Sequence, residues 1–223
     1  MPGPPDHTIY STRGGHCQSN GSTHGGARDA SAADYAWDSS NLSDSTVAVK
    51  YASGKSANSV HRAFLYFDVS GVDSKTVVTD ASLKIRGQVN SNADIICVKS
   101  TTAFGGDGGT ALSTGDFDAI YGFSAGSTNS MSGNVTDYSS EITTWSTSGY
   151  NTIDLNTAAK TDIQNNSHFI VAIVEYDSDY LDVNVEEKDV AVGMRWHTFS
   201  GTSSEPKIEI YSKSNLYLLS FGL

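Results

Sequence analysis

His7, His16, Cys17 and His24 gather near the start of the chain, and imidazole and thiolate are ligands that transition metals favour. Their separations match neither C-x2-C nor H-x3-H pairs, so the spacing favours polar residues on a solvated segment over a zinc site. A second group, Asp177, Asp179 and Asp182, is followed by Glu186, Glu187 and Asp189. Paired carboxylates cleave glycosidic bonds only when held at a set separation across a cleft. Oxygen-rich loops also hold calcium. A solvated turn ranks first for this group, structural calcium second and catalysis last. Asp107 stands among Gly105, Gly106, Gly108 and Gly109, but the spaced acidic ladder of a calcium loop is missing. The same glycine run lacks the Lys-Ser/Thr of a phosphate loop, and no H-E-x-x-H occurs. The chain is therefore expected to carry no catalytic residue and no cofactor, with structural calcium as the one metal entertained.

Aromatic side chains supply the remaining chemistry. Tyr35, Trp37, Tyr121, Phe123 and Trp145 fall in loop-like sequence, where a flat ring can stack on a sugar or seat a protein partner. Core packing competes for each of them, because large aromatics dominate burial. Trp196 lies in a strand-like run and is expected in the core.

The elements that must position these groups are strands. Residues 81–86 alternate strictly, placing Ala81, Leu83 and Ile85 on one face of an extended segment. The runs 46–51, 63–69, 94–99, 152–155, 180–185, 192–198 and 207–211 also have strand composition, and 169–174 is apolar throughout, as a strand buried on both faces would be. One short helix is expected at 157–165. The chain has 223 residues, ordinary for one β-sandwich. The predicted fold is all-β: a two-sheet jelly-roll β-sandwich with one short helix and long loops, of which 101–134 is the longest.

Three segments follow. Residues 1–43 are poor in aliphatics and read as an extended N-terminal arm. Residues 44–212 form the sandwich. Residues 213–223 form an apolar tail whose Leu216, Tyr217, Leu218, Leu219 and Phe221 are expected to pack on the domain or on a neighbour in an assembly. Cys17 and Cys97 are too few for a disulfide framework, and the sequence leaves open whether they pair. Met1 to Pro5 lacks the basic and apolar regions of a signal peptide, so synthesis in a cytoplasm is expected. The net charge of −11, with only 14 Lys and Arg, argues against nucleic acid and against an anionic membrane surface.

Two stretches resemble a known family. Val60-His61-Arg62-Ala63-Phe64-Leu65-Tyr66-Phe67-Asp68-Val69-Ser70-Gly71-Val72, followed by 77–85, is similar to the opening of disaggregatase-related (DNRLRE-type) β-sandwich domains. Arg195 to Ser200, continuing through Glu205-Pro206-Lys207-Ile208-Glu209-Ile210-Tyr211, resembles that family's closing strand. The resemblance frames about 44 to 212. It implies a jelly roll of the kind attached to surface, polysaccharide-associated and phage virion proteins, and it implies no catalytic residues. The expectation is a non-catalytic structural or surface protein. Its leading form is a phage virion component, a capsid decoration or tail protein that oligomerises through its termini after synthesis in a host cytoplasm. The alternatives are a carbohydrate-binding module at an extracellular surface and, last, a polysaccharide-active enzyme.

Overall fold

The alternating stretch 81–86 lies in strand β6 (Thr76–Ser91), with Ala81, Leu83 and Ile85 fully buried on one face. The computed structural model describes residues 3–38, 45–53, 58–124, 130–184, 189–196 and 204–214. Around β6 stand β1 (His7–Tyr10), β2 (Arg13–Gly21), β3 (Tyr35–Asp38), β4 (Ser45–Ser53), β5 (Asn58–Asp68), β7 (Ile95–Ser100), β8 (Tyr150–Asp154), β9 (His168–Glu175), β10 (Asp189–Trp196) and β11 (Lys207–Ser214). Every strand pairing is antiparallel. One layer runs β8-β6-β11-β1. The other runs β10-β4-β5-β2-β3, with β9 on β5 and β7 on β9. The long β6 belongs to both layers, since the part of it that includes Gly87, Val89 and Asn90 crosses to pair with β10. The fold is an all-β sandwich, as the sequence predicts.

The layers close over one cluster. Leu65, Phe67, Phe169, Val171 and Ile173 from one sheet meet Leu83, Ile85, Ile208 and Ile210 from the other. Each such side chain contributes roughly 1.5–3 kcal/mol when taken from water. Helix α2 (Thr157–Asn165) forms where expected: Asn156 caps it by accepting from Ala159 N, and Ala159 and Ile163 turn inward.

A second cluster covers the opposite face of the β5-β9-β7 layer. Val60, Phe64, Ile96, Val98, Ile170 and Ala172 are buried there under Phe104, Phe117, Ile120 and Met131 from 101–134. These strands are apolar on both faces because both faces are covered. The long insertion is thus a lid on the sheet and not a free loop.

The N-terminal segment differs most from expectation. It is not an extended arm. Strand β2 pairs along β5 from Arg13 opposite Tyr66 to Gly21 opposite Asn58, and β3 pairs on its other side. The sequence signal misleads because β2 is buried without aliphatics. Gly14, Gly15, Cys17 and Ser19 are small enough to lie beneath neighbours, and a Cβ at Gly15 would meet Trp37 O at 2.2 Å. The one-turn helix α1 (His24–Arg28), capped by Thr23, returns the chain to β3. The tail residues Leu216, Tyr217, Leu218, Leu219 and Phe221 lie outside the described residues.

Candidate functional site

The largest buried polar feature centres on Arg62, from the motif in β5. Arg62 Nε and Nη2 donate to Asp179 Oδ2 and Oδ1 at 2.8 and 2.7 Å, a two-pronged ion pair with both side chains fully buried. Nη1 donates to Phe117 O at 2.9 Å, and Nη2 also donates to Arg28 O at 2.8 Å. The Phe117 ring lies 4.0 Å from the guanidinium carbon and Phe123 lies 5.0 Å away. Arg28, also buried, donates from Nε to Asp179 O at 2.8 Å. Asp179 sits in a single π-turn, Tyr176–Tyr180, whose Ser178 and Asp179 amides both donate to the Glu175 carboxylate. A buried charge pair is tolerable only with such full satisfaction. The network ties β5, α1, the insertion and the turn after β9 together, so these charges serve the fold.

A second feature faces solvent. Trp37 on β3 stands opposite His16 on β2, their rings stacked at 4.6 Å. His16 in turn stacks on His61 of β5 at 5.6 Å, and Tyr35 lies 5.6 Å from Trp37. The period of 2 along a strand puts Tyr35 and Trp37 on one face, and cross-strand pairing lines His16 up beside them. Tyr35 is 55% exposed and Trp37 39% exposed. Beside Tyr35, Gln18 Nε2 donates to Asn20 Oδ1 and Ser59 Oγ, and Asn20 donates to Asp34 from its amide N and its Nδ2. The result is an aromatic row rimmed by amides, hydroxyls and one carboxylate.

Burial holds both imidazoles of the row neutral. His16 is pushed down to about 4 by burial alone. His61 is pushed down to about 3, first by burial and then by His16 and Lys50. The Nδ1 atoms of both rings are buried with no hydrogen-bond partner among the described residues, so a proton there would gain no acceptor.

Of the five aromatics singled out from sequence, Tyr35, Trp37 and Tyr121 reach solvent. Phe123 and Trp145 do not, and they are withdrawn as contact residues. Phe123 packs over Arg28 and Arg62, and Trp145 is buried with its Nε1 donating to Gly193 O at 3.3 Å. Their loop-like surroundings conceal this because the loops themselves are packed. The side chain of Trp196 lies outside the described residues.

The metal-ligand candidates at the N-terminus do not converge. His16 and Cys17 point to opposite faces of β2, and His24 Nε2 bonds to Ser178 O at 2.7 Å. Cys17 and Cys97 are both free and lie in different clusters, their thiols pushed up to about 12 chiefly by burial. In the expected acidic group, Asp179 is committed to Arg62, and Asp182 lies 3.5 Å from Arg28 Nε. Glu186, Glu187 and the Asp189 side chain lie outside the described residues, and among the described residues the carboxylates that approach one another are Asp94, Glu175 and Asp177, with one oxygen of each within 4.8 Å of the others. Oxygen donors at that spacing suit a hard cation such as calcium, and each of the three also has other bonds.

One feature escapes a reading of the sequence, and a second is written in it but misleads. Asp94 directly precedes β7, the antiparallel neighbour of β9 that is distant in sequence, and the register that sets Ile95 opposite Glu175 brings it beside that carboxylate. Gly122-Phe123-Ser124-Ala125-Gly126 has the G-x-S-x-G spacing of a nucleophile elbow, which requires a strand before it and a helix after it. Here Tyr121 and Gly122 form a turn after the isolated bridge at Ile120, and Phe123 is spent on the arginine pair. No family model matches the chain, and no curated protein matches it in sequence.

Proposed function

We propose that this chain is a non-catalytic structural protein of a surface, a virion component of the capsid-decoration or tail kind. In this reading it assembles through the end of the sandwich where β1 begins and β11 ends. One observation carries the reading. Asp6 accepts from Ser212 N at 2.6 Å and donates its own N–H to Ile210 O at 2.9 Å. The start of β1 and the end of β11 therefore lie side by side on neighbouring strands of one layer, with β1 at its edge. The sequence beyond β11 holds Leu216, Tyr217, Leu218, Leu219 and Phe221, an apolar set suited to a neighbouring copy. The resemblance to disaggregatase-related sandwich domains agrees with such a role, as does the commitment of Arg62 and Asp179 to the fold. No cofactor is needed for it, and a calcium ion at Asp94, Glu175 and Asp177 would act only as a structural clip. Size-exclusion chromatography with light scattering tests the reading. An oligomer that dissociates when Leu218, Leu219 and Phe221 are changed to Ser is expected. A strict monomer of 23.6 kDa for the unaltered chain would contradict it.

A second reading, a carbohydrate-binding module at an extracellular surface, is favoured by the Tyr35–Trp37 row. Exposed rings offer stacking faces to sugar C–H groups, and Gln18, Asn20 and Asp34 offer hydrogen bonds. It predicts polysaccharide retention in affinity electrophoresis that is lost in Trp37→Ala. Equal mobility with and without polysaccharide in the gel counts against it.

A further inference from the structure

A cleft of about 210 Å3 opens between the end of β7, the C-terminal end of α2 and the start of β9. We propose that this cleft binds one neutral pyranose ring, with Lys99, Asp162, Asn166 and His168 as the hydrogen-bonding set and Tyr121, which stands outside the lining next to Lys99, as a stacking face at the rim. The proposal extends the glycan reading to a separate site with its own residues.

The chemistry of the lining selects the ligand. Lys99 Nζ lies 2.9 Å from Asp162 Oδ2, so the two charges cancel within the cleft. An anion would meet Asp162 and a cation would meet Lys99, which leaves a neutral ligand as the match. Tyr138 OH donates to the same carboxylate at 2.6 Å, and Asn166 Nδ2 donates to Asp162 O at 2.9 Å and to Oδ1 at 3.2 Å. The carboxylate is thereby fixed in place, and an ammonium with three N–H groups has donors beyond the one turned to Asp162.

His168 adds an acceptor of defined identity. Tyr66 OH sits 2.8 Å from Asp107 O and 2.6 Å from His168 Nδ1. A carbonyl only accepts, so the phenol proton goes to Asp107 O and His168 Nδ1 must donate to the phenol oxygen. In the neutral ring this leaves Nε2 as the acceptor. Asp107 is held there by the glycines around it: Gly105, Gly106 and Gly108 all have positive φ, and a Cβ at Gly108 would lie 2.7 Å from the Tyr66 ring. The tautomer is thus set by a turn only glycine fits.

The rim is Tyr121, 54% exposed, with Lys99 Nζ over one face of its ring at 5.0 Å from the centroid, so the other face is the one offered for stacking. Alternating donors and acceptors beside one exposed ring match a sugar, with hydroxyls on its edge and C–H groups on its face. Size sets the stoichiometry. The cleft is smaller than the roughly 300–1,000 Å3 of sites for drug-sized ligands, so it suits one ring and not a chain.

Saturation-transfer NMR on the full chain tests this, with the methyl glycosides of glucose, galactose, mannose and N-acetylglucosamine as probes. Transfer to the ring protons of at least one probe is expected, with affinity about tenfold weaker in Asn166→Ala, the loss of one hydrogen bond. Transfer should vanish in Tyr121→Ala and in Tyr121→Leu, which keeps apolar bulk without a flat ring, and should survive in Trp37→Ala. No transfer to any of the four probes overturns the proposal and leaves the assembly reading standing. Transfer that survives both Tyr121 variants but disappears in Trp37→Ala overturns it too, and moves sugar binding to the strand face.

Discussion

At the scale of single residues, Arg62 and Asp179 decide most. Arg62 is visible in the sequence as part of a motif, but its partner lies 117 residues away in a turn that reads as solvated acid. A buried carboxylate stripped of its partner costs roughly 3–5 kcal/mol. Arg62→Ala should therefore lower the melting temperature by on the order of 10 °C for a chain of this size. Arg62→Met combined with Asp179→Leu should restore most of the loss, because no charge is then left unpaired. Melting curves of the single and double variants check this, and a harmless Arg62→Ala would mean the pair is solvated. The aromatics carry the same lesson about what sequence can show. Tyr35 and Trp37 look no different from Phe123 and Trp145 in composition of their surroundings. Phe123 is buried with the lid over the sheet and Trp145 in the core between the layers, and nothing local to either residue encodes that.

At the scale of elements, most periodic strands are legible, but the alternating stretch expected as a strand at 180–185 is the end of the π-turn and irregular backbone over 180–184, and the small-residue strand is not legible at all. The alternation of 81–86, the continuous run 169–174 and the helix at 157–165 each follow from side-chain period and cap chemistry. Strand β2 leaves no such trace, because glycine and serine fill its buried positions and its pairing partners supply the bulk. The β2–β5 pairing also brings His16 against His61, which gives this part of the sheet an acid sensitivity. The unfolded chain binds a proton at each histidine near pH 6.5, while the folded chain resists until about 4 for His16 and about 3 for His61. Between those limits the unfolded state holds more protons, so stability is full above pH 6.5 and falls as the pH drops toward 4. Each histidine contributes up to about 1.4 kcal/mol per pH unit in that window. Thermal melts from pH 7 to 4.5 should show a decline of on the order of 10–20 °C. His16→Phe, which preserves stacking on Trp37, should remove about half of it, and an unchanged decline would assign the effect to other groups.

At the scale of the whole molecule, the all-β sandwich is read from strand period alone, but its two-tier packing is not. The second tier exists because 101–134 folds back over β5, β9 and β7, and a stretch rich in Gly and Ser gives little notice of Phe104 and Phe117 anchoring it from within. Besides the cleft, the places proposed for contact are the aromatic row at β3 and the corner where Asp6 meets Ser212. The proposed role rests on that corner. Hydrogen–deuterium exchange compares the assembled chain with the Leu218→Ser, Leu219→Ser, Phe221→Ser variant. The account predicts slower exchange on assembly in β1 and β11, with β7 and β9 unchanged. Equal exchange in β1 and β11 for the two forms would contradict it.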